Sequence, residues 1–164
     1  MTQQSTKCIL RNKPSGLPST NDFTTTTEQA PRDESELQQG EILVKLVLIS
    51  VDPYLRMMIN HQELNQPVVS DAIAQIVASK DEGYKIGEYL RGWFPWKEYC
   101  VLTRKDFHKE GWSDIVRIGK QPDIPLEKYL NVFLPVIHSA AYGVFKADLQ
   151  PGKVVLVSGA AGAV

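Results

Sequence analysis

The sequence predicts a mainly β, barrel-like domain, then a helix, then the opening strand of an α/β unit. Three observations carry this expectation. Short apolar runs separated by turn residues recur at roughly even spacing through residues 1–124. From Pro125 the apolar residues fall at helical spacing instead. A continuous apolar run, KVVLVSG, then leads into glycines and alanines. The expected organisation is a β domain over 1–124, a connecting helix over 125–150 and the start of a nucleotide-binding unit over 151–164.

The first strand candidate is KCIL, followed by a long polar stretch. Threonine favours extended backbone, so DFTTTTEQA reads as an edge strand. APRDESELQQGE reads as a solvated turn, in which Asp33, Glu34 and Glu36 suit a polar loop better than an acid–base pair. GEILVKLVLISVDPYLR gives the strongest strand signal. Its two alternating sets, from Ile42 and from Leu43, are both largely apolar, as in a strand buried on both sides. Pro53 ends it, because proline lacks an N–H and biases Asp52 away from helix; a short helical turn can start at Tyr54. AIAQIVASKDEGYKIGEYLRG reads as two strands around KDEG, and KEYCVLT as another. Leu130, Phe133, Leu134, Ile137, Ala141 and Phe145 then mark a helix that Pro135 divides or kinks.

Composition narrows the function classes. The 164 residues carry 43% hydrophobic and 23% charged side chains, enough apolar material for a buried core. A net charge of −1, with Lys and Arg spread along the chain, argues against a nucleic-acid or anionic-membrane surface as main partner. The apolar runs are too short to span a bilayer, and MTQQSTKCIL lacks the apolar core of a secretory signal. A cytoplasmic protein is expected. Cys8 and Cys100 imply no disulfide framework, and with His61, His108 and His138 they form no metal-ligand spacing, so no metal is expected. Both cysteines read as small buried hydrophobes.

The glycine spacing at Gly159 and Gly162, after a buried-type strand, fits the turn that lets a dinucleotide's pyrophosphate approach the backbone. Here the sequence resembles the zinc-free medium-chain dehydrogenase/reductases. Within them it is similar to the group of leukotriene dehydrogenases, prostaglandin reductases and alkenal double-bond reductases. The stretches that carry the resemblance are GLPSTNDF, GEILVKLVLISVDPYLRMMI, YKIGEYLRG and AAYGVFKADLQPGKVVLVSGAAGAV, in the family's order. VDPYLR is the most specific and SGAAGAV the next.

The resemblance implies a GroES-like catalytic domain followed by a truncated Rossmann domain for NADPH. It also implies zinc-independent reduction of the activated C=C bond of α,β-unsaturated aldehydes or ketones. Pro53 and Tyr54 match the segment beside nicotinamide and substrate, with Tyr54 a candidate donor to the substrate carbonyl. Ser158, Gly159, Ala160, Ala161, Gly162, Ala163 and Val164 match the start of the pyrophosphate loop. The chain departs from the family at VVSDAIAQIV, where a glycine-rich segment is usual. It departs again at Ala140 and His138, which replace the usual threonine and glycine, and INHQELNQPVV looks short for the loop bordering the substrate.

Several residues have two readings. Tyr54 fits a site or a half-buried ring at a domain edge. Arg56 fits a 2′-phosphate partner or a salt bridge at a strand end. His138, among apolar neighbours, is expected as a hydrogen-bonded core residue, not a base. GWFPWKEY is aromatic enough for a binding platform, though such clusters are more often packing. The expected function is that of an NADPH-dependent enal or enone reductase, represented by its N-terminal half and with little activity alone, the family's dimer surface being mostly missing. The alternative is a non-catalytic short product acting through protein contacts, since an unpaired KVVLVSG exposes an edge and apolar faces.

Overall fold

The computed structural model describes residues 2–107, 114–132 and 135–158, which divide into two units, 1–121 and 122–164. The first unit holds seven strands in chain order: β1 (Gln3–Leu10), β2 (Phe23–Ala30), β3 (Ile42–Ile49), β4 (Val69–Ser79), β5 (Tyr89–Pro95), β6 (Tyr99–Leu102) and β7 (Val116–Ile118). One helix, α1 (Leu55–His61), lies between β3 and β4. A five-stranded antiparallel sheet has the order β6-β3-β4-β5-β7, and β1 pairs with β2 in a second sheet.

The two sheets are tied through β1. Alternate residues of an extended strand point their backbone groups to opposite edges. Lys7 and Ile9 face the Thr26 and Thr24 positions of β2. The other edge bonds into the larger sheet: Cys8 N–H to Trp96 C=O at 2.9 Å, Val68 N–H to Cys8 C=O at 3.0 Å, and Leu10 N–H to Gln66 C=O at 3.0 Å. Glu98 N–H adds a bond to Thr6 C=O at 2.8 Å. This gives the barrel-like closure that the spacing of apolar runs predicts, and DFTTTTEQA is the outer strand of that ribbon.

The core follows the period-2 rule. Ala72, Ala74 and Ile76 of β4 point to one face and pack with Ile42, Val44, Leu90, Phe94, Cys100, Leu102, Phe107 and Ile115. Leu43 packs on the opposite face with Leu37 and Ala78, which is why both alternating sets of β3 are apolar. Burial pushes the Cys100 thiol up to about 11, the behaviour of an inert buried cysteine. Beneath β1, Leu55 and Ile59 of α1 meet Leu10 and Val68 in a smaller cluster. Fully burying such side chains contributes about 1.5–3 kcal/mol each, which anchors a helix too short to be stable alone.

One ion pair and one close backbone approach brace the sheet. Arg104 makes a two-pronged contact with Asp81 (Nε–Oδ2 2.7 Å, Nη2–Oδ1 2.8 Å). Gly92 on β5 lies so close to the next segment that a Cβ there would meet Ile115 Cγ1 at 2.8 Å, Ile115 Cα at 2.9 Å and Asp114 O at 3.0 Å.

The second unit contains α2 (Leu126–Val132) and α3 (Pro135–Lys146). Residues 133 and 134, between the two helical stretches, lie outside the described residues, and the expected division at Pro135 falls there. Two expectations are corrected here. The apolar helical stripe is buried only at its start: Leu130 is 7% exposed, whereas Ile137 and Phe145 are exposed by 41% and 78%; Phe133 and Leu134 lie outside the described residues. KVVLVSG is not a strand: the described part runs without ladder partners, with Val154 and Leu156 98% and 95% exposed. A parallel-type strand needs neighbours on its edges, and none pairs with it among the described residues.

Two predictions follow from this packing. Gly92→Ala should cost about 1–3 kcal/mol in urea unfolding, since backbone atoms must shift; a loss below about 0.5 kcal/mol would disprove the close approach. Arg104, with a backbone N–H from Gly83, holds the Asp81 carboxyl down at about 2. Its folded-state value lies below the unfolded one, so its stabilisation is present above about pH 4 and lost as pH falls towards 2. Arg104→Gln should flatten that acid limb in a pH series of melting temperatures.

Candidate functional site

The site is built where β3 leaves the sheet. Ser50 is buried, and its N–H bonds to Asp71 C=O at 2.8 Å, holding the exit against β4. Ser50 Oγ hydrogen-bonds Asp52 Oδ2. Pro53 follows, exposed, and Leu55 N–H reaches back to Asp52 C=O at 3.0 Å to open α1. Pro53 precedes the helix's N-cap, Tyr54, so its missing N–H forfeits no intrahelical bond.

Tyr54 stands at this turn, half-buried. Its ring packs tilted against Trp93, with centroids 5.7 Å apart and planes at 51°. The phenol oxygen accepts a long hydrogen bond, 3.5 Å, from Asp71 N–H. Burial raises the phenol's pKa, opposed by that N–H and reinforced by the nearby Asp71 and Asp52 carboxylates. Tyr54 is therefore a neutral hydroxyl whose own proton is free to be donated elsewhere.

Asp71 belongs to β4, directly opposite Trp93 on β5, while Arg91 stands opposite Ile73. Asp71 and Arg91 are thus diagonal cross-strand neighbours on one face, and Arg91 Nη2 bonds Asp71 Oδ2. Asp71 is only 3% exposed, and its Oδ1 is buried with no hydrogen-bond partner. Burial pushes its carboxyl up to about 6, despite the opposing pull of Arg91.

The predicted residues fare differently. Pro53 and Tyr54 lie together at the β3–α1 turn. Ser158 belongs to the second unit and is exposed there; Gly159, Ala160, Ala161, Gly162, Ala163 and Val164 lie outside the described residues. Among the described residues Arg56 makes hydrogen bonds in place of the expected salt bridge. Its guanidinium bonds Pro14 C=O (2.7 Å), Gly16 C=O (3.3 Å) and Asn60 Oδ1, fastening the Pro14–Gly16 loop to α1. His138 is exposed on α3, not a core residue, because the stripe around it is uncovered. The aromatic cluster divides: Phe94 is core, Trp96 bonds Ser70 Oγ at 2.8 Å, and Trp93 serves Tyr54.

Sequence reasoning missed Asp71 and Arg91. The available signal was a lone acid within the apolar VVSDAIAQIV and a cation within YLRGW, two strands expected to pair. Among the described residues no group of His, Cys, Asp or Glu could hold a metal ion, and no helix is long and apolar enough to cross a membrane.

A β domain closed through its first strand, with a turn carrying Pro53 and Tyr54 at the end of β3, is the fold of the catalytic half of medium-chain dehydrogenase/reductases. Residues 6–109 match the family described as the N-terminal domain of oxidoreductase, and the chain belongs to that family. Prostaglandin reductase 1 of Bos taurus is 28% identical over 152 residues, covering 91% of this chain and 43% of that protein. The NADPH-dependent curcumin reductase of Escherichia coli (strain K12) is 22% identical over 130 residues, covering 75% and 34%. CurA from Vibrio vulnificus, solved in complex with NADPH, superposes with a TM-score of 0.65 at 23% identity, over 86% of this chain and 40% of that one. That likeness concerns the fold. The chain spans less than half the length of these relatives.

The titration of Asp71 gives a stability test. Its folded-state value lies above the unfolded one, so it favours the fold below about pH 4, and this contribution is lost as pH rises through about 6. Urea unfolding between those limits should show wild type losing stability with rising pH relative to Asp71→Asn. A constant difference would show that the carboxyl titrates normally.

Proposed function

We propose that the chain forms the substrate-side half of an NADPH-dependent oxidoreductase that reduces the activated C=C bond of α,β-unsaturated aldehydes or ketones in the cytoplasm. The observation that carries this is Tyr54. Its oxygen already accepts from Asp71 N–H, so its O–H is left to donate. Given to a substrate carbonyl oxygen, that hydrogen bond draws electron density from the conjugated β-carbon and stabilises the enolate charge as it develops. A phenol polarised by one donor is a stronger donor itself.

NADPH, when bound, supplies the hydride that the β-carbon takes up. The residues present fit a flat aromatic ring at this turn: Val51 and Met57, 76% and 60% exposed, flank exposed Pro53 and offer apolar surface. Pro53 and Tyr54 would border the nicotinamide. Arg56 is committed to the Pro14–Gly16 loop, so recognition of the 2′-phosphate falls to other groups. The chemistry requires no metal, because the Tyr54 hydroxyl does the polarising.

A second reading is favoured by the bare apolar segment Val154–Val157: a non-catalytic product that acts through protein contacts. One experiment separates the two. Protein translated from the native transcript is assayed for NADPH oxidation with benzylideneacetone, a neutral enone. The reductase reading expects turnover, and Tyr54→Phe should lower kcat/KM about 100-fold with the circular dichroism spectrum unchanged. Absence of NADPH oxidation, with a native intact mass of 18.4 kDa, selects the non-catalytic reading.

A further inference from the structure

The Asp71–Arg91 pair plays no part in polarising the substrate, yet it lies beside the group that does. Tyr54 feels three charges: the carboxylates of Asp52 and Asp71 and the guanidinium of Arg91. With both acids ionised, this cluster carries one more negative than positive charge. Arg91 bonds Asp71 Oδ2, while Oδ1 is buried with no donor to offset it. Asp71 is 3% exposed, and a buried charge acts more strongly on its neighbours than one on a wet surface. A phenol donor set against such a cluster can receive a neutral carbonyl oxygen, but an incoming carboxylate meets like charge.

We propose that Asp71 is a specificity-determining residue, which makes the Tyr54 site accept neutral unsaturated carbonyl compounds and reject the corresponding carboxylates. The inference rests on the enone reading of Tyr54 and adds the substrate's charge to it. Its geometry comes from the β4–β5 register, which sets Asp71 opposite Trp93 and therefore at the face that the Tyr54 ring covers. It also explains why a carboxyl stands in an otherwise uncharged strand, where an apolar residue would cost no desolvation.

The same arrangement makes the selectivity pH-dependent. The groups facing Asp71 are Arg91 from β5 and Asp52 and Tyr54 from the β3–α1 turn; its neighbour Ser70 on β4 is not titratable. Protonating Asp71 leaves Asp52 and Arg91 to balance, so rejection of anions weakens in acid. Burial places this change near pH 6.

The test compares benzylideneacetone with cinnamate, an anion of nearly the same shape. Binding is followed on the whole chain by 19F NMR of 5-fluorotryptophan-labelled protein, with the Trp93 resonance assigned through Trp93→Phe. At about pH 7.5 the ketone should bind roughly tenfold or more tightly than cinnamate, and Asp71→Asn should cut that ratio about tenfold. Wild type should lose the same discrimination between about pH 7.5 and 5, where cinnamate is still mostly ionised, while Asp71→Asn stays flat. If both ligands shift Trp93 at a ratio indifferent to pH and to Asn, the role of Asp71 is overturned and the enone reading stands. If neither ligand shifts Trp93 in wild type, the enone reading fails and this inference with it. Should Asp71→Asn not fold, the wild-type pH series decides alone.

Discussion

The backbone of Thr6–Leu10 is hydrogen-bonded along both edges, and the rest of the first unit depends on that arrangement. One edge pairs with β2 and the other with the segments before β4 and after β5. Without it, β1 and β2 would be an isolated two-stranded ribbon, which is marginal in water. With it, Leu10 is drawn over Val68, and a floor forms on which Leu55 and Ile59 can settle. The turn holding Tyr54 is fixed by that floor on one side and by the Ser50–Asp71 backbone bond on the other. The candidate site is thus a by-product of how the barrel closes.

β4 divides the labour of the fold between its two faces. Ala72, Ala74 and Ile76 serve the core, while Asp71 faces the site. Alternation makes this economical, since one strand fixes both sets at once. It also couples them: whatever shifts β4 by one residue exchanges core for site.

Much of the fold was legible in the sequence because its signals are local. Alternation in β3, the threonine run of β2 and the proline at 53 each act on their own neighbours, and each element appears where those signals put it. Tyr54 could be named because VDPYLR is specific. The Asp71–Arg91 pair could not, since a diagonal contact between strands depends on register and not on either strand's own pattern. Arg56 was misread for a related reason: its acceptors are two main-chain carbonyls some forty residues away and an asparagine one helical turn on. His138 and KVVLVSG were misread because apolar periodicity signals a face to be covered without saying what covers it.

The three acceptors of Arg56 lie on two pieces of chain that share no strand ladder. The Pro14–Gly16 loop is held to α1 through this one side chain, supplemented by Lys13 Nζ on Asn60 C=O at 2.8 Å. Helix and loop are therefore fastened together next to the turn that carries Tyr54. The loop also bears Leu17, 94% exposed, whose bond to Pro18 is a tertiary amide that resists proteases cleaving after leucine. An exposed leucine is thus kept from becoming a cleavage site, and the tether beside the phenol stays part of an unbroken chain.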